Sequence, residues 1–150
     1  MKFVSLEEII NYAVSREELA YQLYTDAAAK SNTISARKMF EEMAAEEAGH
    51  KDVFSKIDVA VLHEESARKT PHLNLSEYLV DIELRPDMSY PEILRFAMKA
   101  EESAWKLYEA AAEMTDDPKI KRTLQVFAEV EKGHKKRIEA LYDEHVLTEN

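Results

Sequence analysis

Apolar residues recur every three or four positions along most of the chain, the period of an amphipathic helix. From Ser5 to about Lys30 the stripe takes in Ile9 or Ile10, Ala13, Ala20, Leu23, Ala27 and Ala28. Ser5-Leu6-Glu7-Glu8 has capping-box spacing, with Ser5 as cap and Glu8 reaching back. Ser15 and Glu18 repeat that spacing and offer a second start or a bend. Ser31-Asn32-Thr33 is a short polar break, so the next helix is an antiparallel neighbour. Ile34, Met39, Phe40, Met43, Ala44, Phe54, Ile57, Val61 and Leu62 carry the period onward to about Ser66.

The pattern then fails. Between about Ala67 and Met88, Pro71, Asn74, Pro86 and Asp87 interrupt any long helix, and Leu75 to Val80 has room for one short turn. A connection this long suits a crossover from one end of a bundle to the other. Ser89-Tyr90-Pro91-Glu92 restarts the helical period as cap, early proline and capping carboxylate. Thr115-Asp116-Asp117-Pro118 ends that helix and starts the last. The expectation is an all-α antiparallel four-helix bundle with a long crossover between helices 2 and 3. Its helices lie at about 5–30, 35–66, 90–114 and 118–145, in one domain over 1–150.

The two halves repeat each other at an offset of 84 residues. Glu17 matches Glu101, Tyr21 matches Trp105, Leu23 matches Leu107 and Tyr24 matches Tyr108. Glu47-Ala48-Gly49-His50 matches Glu131-Lys132-Gly133-His134. The two glycines of the chain therefore occupy equivalent places inside helices, where Gly costs about 1 kcal/mol relative to Ala. Close helix approach or room beside a bound metal would account for them.

Glu and His three apart share a helix face. One Glu-x-x-His in a Glu-rich chain says little. Two, each with a Glu thirty residues upstream, say more. Two helices carrying one Glu and two carrying Glu-x-x-His build a dinuclear metal site in a bundle core. The candidate ligands are Glu17, Glu47, His50, Glu101, Glu131 and His134. Oxygen and nitrogen donors without thiolate suit two Fe ions, with Mn or Zn able to take their place. Four Glu charges balance two divalent ions if both His are neutral. The simplest assignment lets Glu47 and Glu131 bridge, with Glu17 and His50 on one metal and Glu101 and His134 on the other. Metals about 3.5–4 Å apart leave room for a small ligand between them. Without metal, four carboxylates repel one another, so a Glu→Gln change at any of them is expected to help the empty fold.

Composition narrows the alternatives. Lys plus Arg is 20 against 30 for Asp plus Glu, a formal charge of -10, which argues against nucleic acid or an anionic membrane as partner. Cys is absent, which excludes disulfides, a thiolate nucleophile and Cys-ligated zinc or iron–sulfur centres. No signal core opens the chain and no run of 18 apolar residues follows, so a cytoplasmic location is expected.

Glu17 with Tyr24, Glu47-Ala48-Gly49-His50, Glu101 with Tyr108, and Glu131-Lys132-Gly133-His134 together resemble the ferritin-like superfamily, and within it the rubrerythrin-type diiron domain. The resemblance implies peroxidase, ferroxidase, iron-storage or carboxylate-bridged oxidase chemistry. Full-length rubrerythrins add a four-cysteine rubredoxin-like domain that delivers electrons. The sequence here has none, which implies an external donor such as a rubredoxin-like protein or flavoprotein. Rubrerythrins also carry a further Glu one turn beyond the third-helix ligand. Ala104 stands there in this chain, and Glu102 is turned about 100° away.

Tyr24 and Tyr108 are candidates for hydrogen bonds to ligand carboxylates, the alternative being core tyrosines with satisfied hydroxyls. Tyr21 and Trp105 read as interhelical packing. Glu18, Glu46 and Glu102 read as a solvated face or a subunit contact, and His63, His72 and His145 as structural or exposed. A leftover Ile, Leu and Met stripe fits a homodimer. Three functions follow: a diiron oxidoreductase acting on H2O2 or O2, a non-catalytic metal-binding or iron-storage protein, or a plain interaction bundle.

Overall fold

A computed structural model describes residues 3–68, 73–79, 85 and 87–149 of the chain. Val80, Pro71, His72 and Pro86 of the expected crossover lie outside the described residues. The chain order is β1 (Phe3–Val4), α1 (Leu6–Lys30), α2 (Ile34–Ser55), α3 (Val59–Arg68), β2 (Leu73–Asn74), a 3-10 turn (Leu75–Tyr78), α4 (Tyr90–Ala112) and α5 (Pro118–Glu149).

The start signals work as written. The Ser5 side chain accepts from the Glu8 N–H at 3.3 Å, and Thr33 does the same for Ala36 at 3.1 Å. Ser89 and Glu92 form the full reciprocal box, with Pro91 in the first turn. Asp117 accepts from the N–H groups of Lys119 and Ile120 at the head of α5. α1 runs unbroken through Ser15, so the second start is not used. The expected second helix is two helices. Its chain stops at Lys56, and Asp58 caps a new start, its carboxylate taking the Ala60 N–H at 2.9 Å.

The direction of each helix follows from its core residues. One apolar cluster gathers Ile9, Ile10 and Ala13 of α1, Phe54 of α2, Ala104, Leu107 and Ala111 of α4, and Leu124 and Ala128 of α5. The other gathers Leu23 and Ala27 of α1, Phe40 and Met43 of α2, Ile93 and Ala97 of α4, and Ile138 of α5. Hence α1 and α5 run one way, α2 and α4 the other. A crossover must join α2 to α4, as in ferritin-like bundles. α3 belongs to that crossover. It is tied to the α4–α5 corner by buried Glu65, which accepts from the Thr115 hydroxyl at 2.6 Å and the Asp117 N–H at 2.8 Å. β2 pairs antiparallel with β1, Val4 opposite Leu73.

Candidate metal centre

The belt between the two apolar clusters is polar. In α1, Glu17 falls between Ala13 of one cluster and Ala20 of the other, and in α4 Glu101 falls between Ala97 and Ala104. Glu47 and His50 of α2, and Glu131 and His134 of α5, complete the belt. All four carboxylates are fully buried and both imidazoles nearly so. Helical spacing turns all six inward, and the packing of the two apolar clusters brings them to one level.

The six side chains form two groups whose donor atoms lie within 4.8 Å of one another: Glu17, Glu47, His50 and Glu131, and Glu47, Glu101, Glu131 and His134. Each group could hold a metal ion, and Glu47 and Glu131 belong to both. Each His turns Nδ1 inward. His50 Nδ1 is 3.1 Å from Glu131 and 3.5 Å from Glu47, and His134 Nδ1 is 3.5 Å from Glu47 and 3.7 Å from Glu131.

Donors from the opposite half hold the outer carboxylates. Tyr108 donates to Glu17 at 2.7 Å, and Tyr24 donates to Glu101. Burial and the carboxylate beside each hydroxyl push both phenols well above their usual range, so they remain protonated donors.

The arrangement contains a cation the sequence reading did not include. Arg16 is only 8% exposed. Its Nη1 lies 2.7 Å from Glu47, 3.2 Å from Glu131 and 3.4 Å from Glu17, and its Nη2 lies 3.3 Å from Glu101. The signal was present, since Arg16 stands three after Ala13 and four before Ala20, on the buried stripe. Glu46 is expected on a solvated face or at a subunit contact. It is 41% exposed, yet its carboxylate meets His134 Nε2 at 2.9 Å. The reach across from α2 to α5 is not written in local spacing.

Other readings divide. Glu18 and Glu102 make equivalent cross-helix pairs, with Lys51 at 2.8 Å and Lys135 at 3.7 Å. Trp105 packs against the core, with Lys132 4.8 Å above its ring, whereas Tyr21 is 39% exposed. His63 is exposed and meets Glu7, and His145 lies edge-on to Tyr90. Close helix approach does not explain the glycines. A Cβ built at Gly49 or Gly133 would meet nothing within 4 Å.

Titration follows from the crowding. Burial raises Glu47 well above the carboxylate range, and the neighbouring Glu131, Glu101 and Glu17 charges raise it further. Burial and the Glu131 charge lift Glu101 to about 8. Glu131 goes the other way. Burial opposes its charge, but Arg16 and hydrogen bonds from Glu101 and both histidines hold it ionised. Burial would lower the histidines. Hydrogen bonds to Glu131 and Glu17 instead raise His50 to about 9, and those to Glu101 and Glu131 raise His134 to about 10.

A metal fits these donors. Glu17 Oε2, Glu47 Oε1 and Glu101 Oε2 are buried and accept no hydrogen bond among the described residues. Buried acceptors normally find a partner, and three such oxygens spread over the two donor groups are atoms that bound ions would satisfy. A rubrerythrin family model matches residues 8–142. The chain belongs to the rubrerythrin family. Its bundle and paired donor clusters are consistent with a diiron oxidoreductase of the peroxidase or ferroxidase type.

No curated protein matches this rubrerythrin-family chain. Among solved structures it is similar to a hypothetical protein from Pyrococcus furiosus, 26% identical over 93% of this chain and 89% of that one, with TM-score 0.73. A putative ferritin-like diiron-carboxylate protein from Thermotoga maritima is 19% identical, covering 97% of this chain and 99% of that one, with TM-score 0.76. A Dps mutant of Listeria innocua is 14% identical, covering 94% and 95%, with TM-score 0.67. The latter two share the fold. Among the described residues, no helix is long and apolar enough to cross a membrane.

Proposed function

We propose that residues 1–150 form one diiron domain that reduces H2O2 or O2 with electrons from an external donor. The observation that carries this is the sharing of Glu47 and Glu131 by both donor clusters, the arrangement of two bridged metals rather than two separate ones. An iron pair bound there supplies two electrons, enough to turn H2O2 and two protons into two waters. The rest is the chain's work. Glu47 and Glu131, shared by both donor groups, would serve both ions, with Glu17 and His50 completing one position and Glu101 and His134 the other. Tyr108 and Tyr24 each fix one oxygen of Glu17 and Glu101 respectively. Glu46 accepts from His134 Nε2–H, which orients the ring with Nδ1 toward the carboxylates, where that atom would ligate a metal once its proton is displaced. Fully buried donors and two apolar clusters exclude bulk water from the belt.

A homodimer, a cytoplasmic setting and a rubredoxin-like protein or flavoprotein as donor complete the reading. The test is anaerobic loading with Fe(II), metal analysis, then stopped-flow absorption after H2O2 or O2. Two equivalents of iron, rapid oxidation and re-reduction by a donor are expected. Two equivalents that react with neither oxidant would leave a metal-storage protein instead. One equivalent or less would sink the dinuclear centre.

A further inference from the structure

The repeat is broken at the position that reaches all four carboxylates. Arg16 matches Ala100 at the 84-residue offset. A guanidinium thus enters from α1, and nothing corresponding enters from α4. It straddles both donor groups, Nη1 against Glu17, Glu47 and Glu131 and Nη2 against Glu101. Two of those oxygens, on Glu47 and Glu131, belong to the carboxylates shared by the clusters. A metal draws carboxylate oxygens to about 2.0–2.2 Å. Nη1 already sits at 2.7 and 3.2 Å from Glu47 and Glu131. Two divalent ions and a guanidinium would also put five positive charges against four carboxylates in a dry site.

A second seat lies next to the first. A cavity of about 250 Å³ opens beside α1 and α4, lined by Arg16 itself, Tyr12 and Ser103 and otherwise by mostly apolar side chains, Ala100 and Ala104 among them. Small side chains at 100, 103 and 104 leave the space, and the Tyr12 and Ser103 hydroxyls can accept from a guanidinium.

We propose that Arg16 is a tethered cation that holds the place of metal among the four carboxylates and swings into the α1–α4 cavity when two metal ions bind. Arg16 thereby sets how tightly the second ion is held. The inference rests on the dinuclear reading. It predicts stepwise loading, the first ion sharing the site with Arg16 and the second displacing it.

The experiment is anaerobic calorimetric titration of the full chain with Mn(II), comparing wild type, Arg16→Met and Ala104→Leu. Met keeps length without charge, and Leu fills the second seat. Arg16→Met should bind the second Mn(II) at least tenfold more tightly, and Ala104→Leu at least tenfold more weakly. If Arg16→Met does not fold, Ala104→Leu and a crystal structure of Mn-loaded wild type still decide. Arg16 lying in the cavity beside two Mn ions supports the proposal. Arg16 still among the carboxylates with two Mn bound overturns it, as does equal second-ion affinity in wild type and the folded variants. Mn uptake by Arg16→Met but not by wild type supports the placeholder and sinks the resident pair. No uptake by any protein sinks both.

Discussion

Tyr108 donates its hydroxyl proton to Glu17 across 91 residues of chain, at 2.7 Å and fully buried. The same bond joins Tyr24 to Glu101. Each half of the repeat therefore steadies the outer carboxylate of the other. A buried carboxylate that loses a donor loses about 1–3 kcal/mol. Tyr108→Phe should destabilise the protein by about that amount, as should Tyr24→Phe. Iron stoichiometry should stay at two, because neither hydroxyl is needed as a ligand. Denaturant unfolding and metal analysis check both. Loss of one iron in Tyr108→Phe would show the phenol to be part of the first coordination sphere.

Stability without metal should fall as pH rises. His50 at about 9 and His134 at about 10 are raised above the ordinary imidazole value. Groups raised on folding stabilise fully below their unfolded pKa, and that benefit is lost as pH rises through the folded pKa. Glu101, lifted to about 8, behaves the same way in a lower window. Metal-stripped protein should therefore melt progressively lower from pH 7 to pH 10. Metal-loaded protein should change less, because ions have replaced those protons. Loading at pH 7 should also release protons, visible as a dependence of calorimetric heat on buffer ionisation enthalpy. A buffer-independent heat would contradict the protonated cluster.

Arg16 changes which carboxylate is the costly one. Sequence spacing treats the four alike. In the structure Glu131 is the ionised partner of Arg16 and both histidines, whereas Glu47 is driven toward its neutral form. Glu47→Gln should raise the metal-free melting temperature by roughly 2–4 °C, the effect of about 1 kcal/mol in a chain of this size. Glu131→Gln should lower it, since Arg16, His50 and His134 lose their anion. Both should weaken metal binding. Scanning calorimetry after chelation separates them, and equal shifts for the two variants would contradict the assignment.

The glycines offer a stabilising change. Nothing crowds a Cβ at either position. Gly49→Ala and Gly133→Ala should each add about 1 kcal/mol through helix propensity. The expected gain is seen in chemical denaturation with iron content unchanged. A loss of stability would point to a neighbouring chain packed against that face.

The bundle and all six inward donors were legible because each is fixed by local spacing. Glu17 lies four after Ala13 and three before Ala20, and a helix leaves such a residue no other direction. The break at Lys56 was hidden because Ile57, Val61 and Leu62 keep the apolar phase across it, although Asp58 before Val59 is an ordinary capping signal. Glu65, three after Leu62, also lies on the apolar face, and its partners Thr115 and Asp117 are about fifty residues away in the chain. The Glu46–His134 contact was not legible, for it depends on how α2 and α5 approach each other. Ala104, where the family resemblance implies a Glu, is buried between the core and the α1–α4 cavity.

Neither donor cluster is complete within one half of the chain. The first takes Glu17, Glu47 and His50 from before the crossover and only Glu131 from after it; the second takes Glu101, Glu131 and His134 from after and only Glu47 from before. Each helical hairpin alone would offer its metal three ligands. A chain cut between residues 69 and 72 would thus yield two fragments that need each other for a fourth. Ion occupancy would then report reunion of the fragments, and the strength of ion binding would act as a rivet whose grip can be read from how far the two pieces can be diluted before they part.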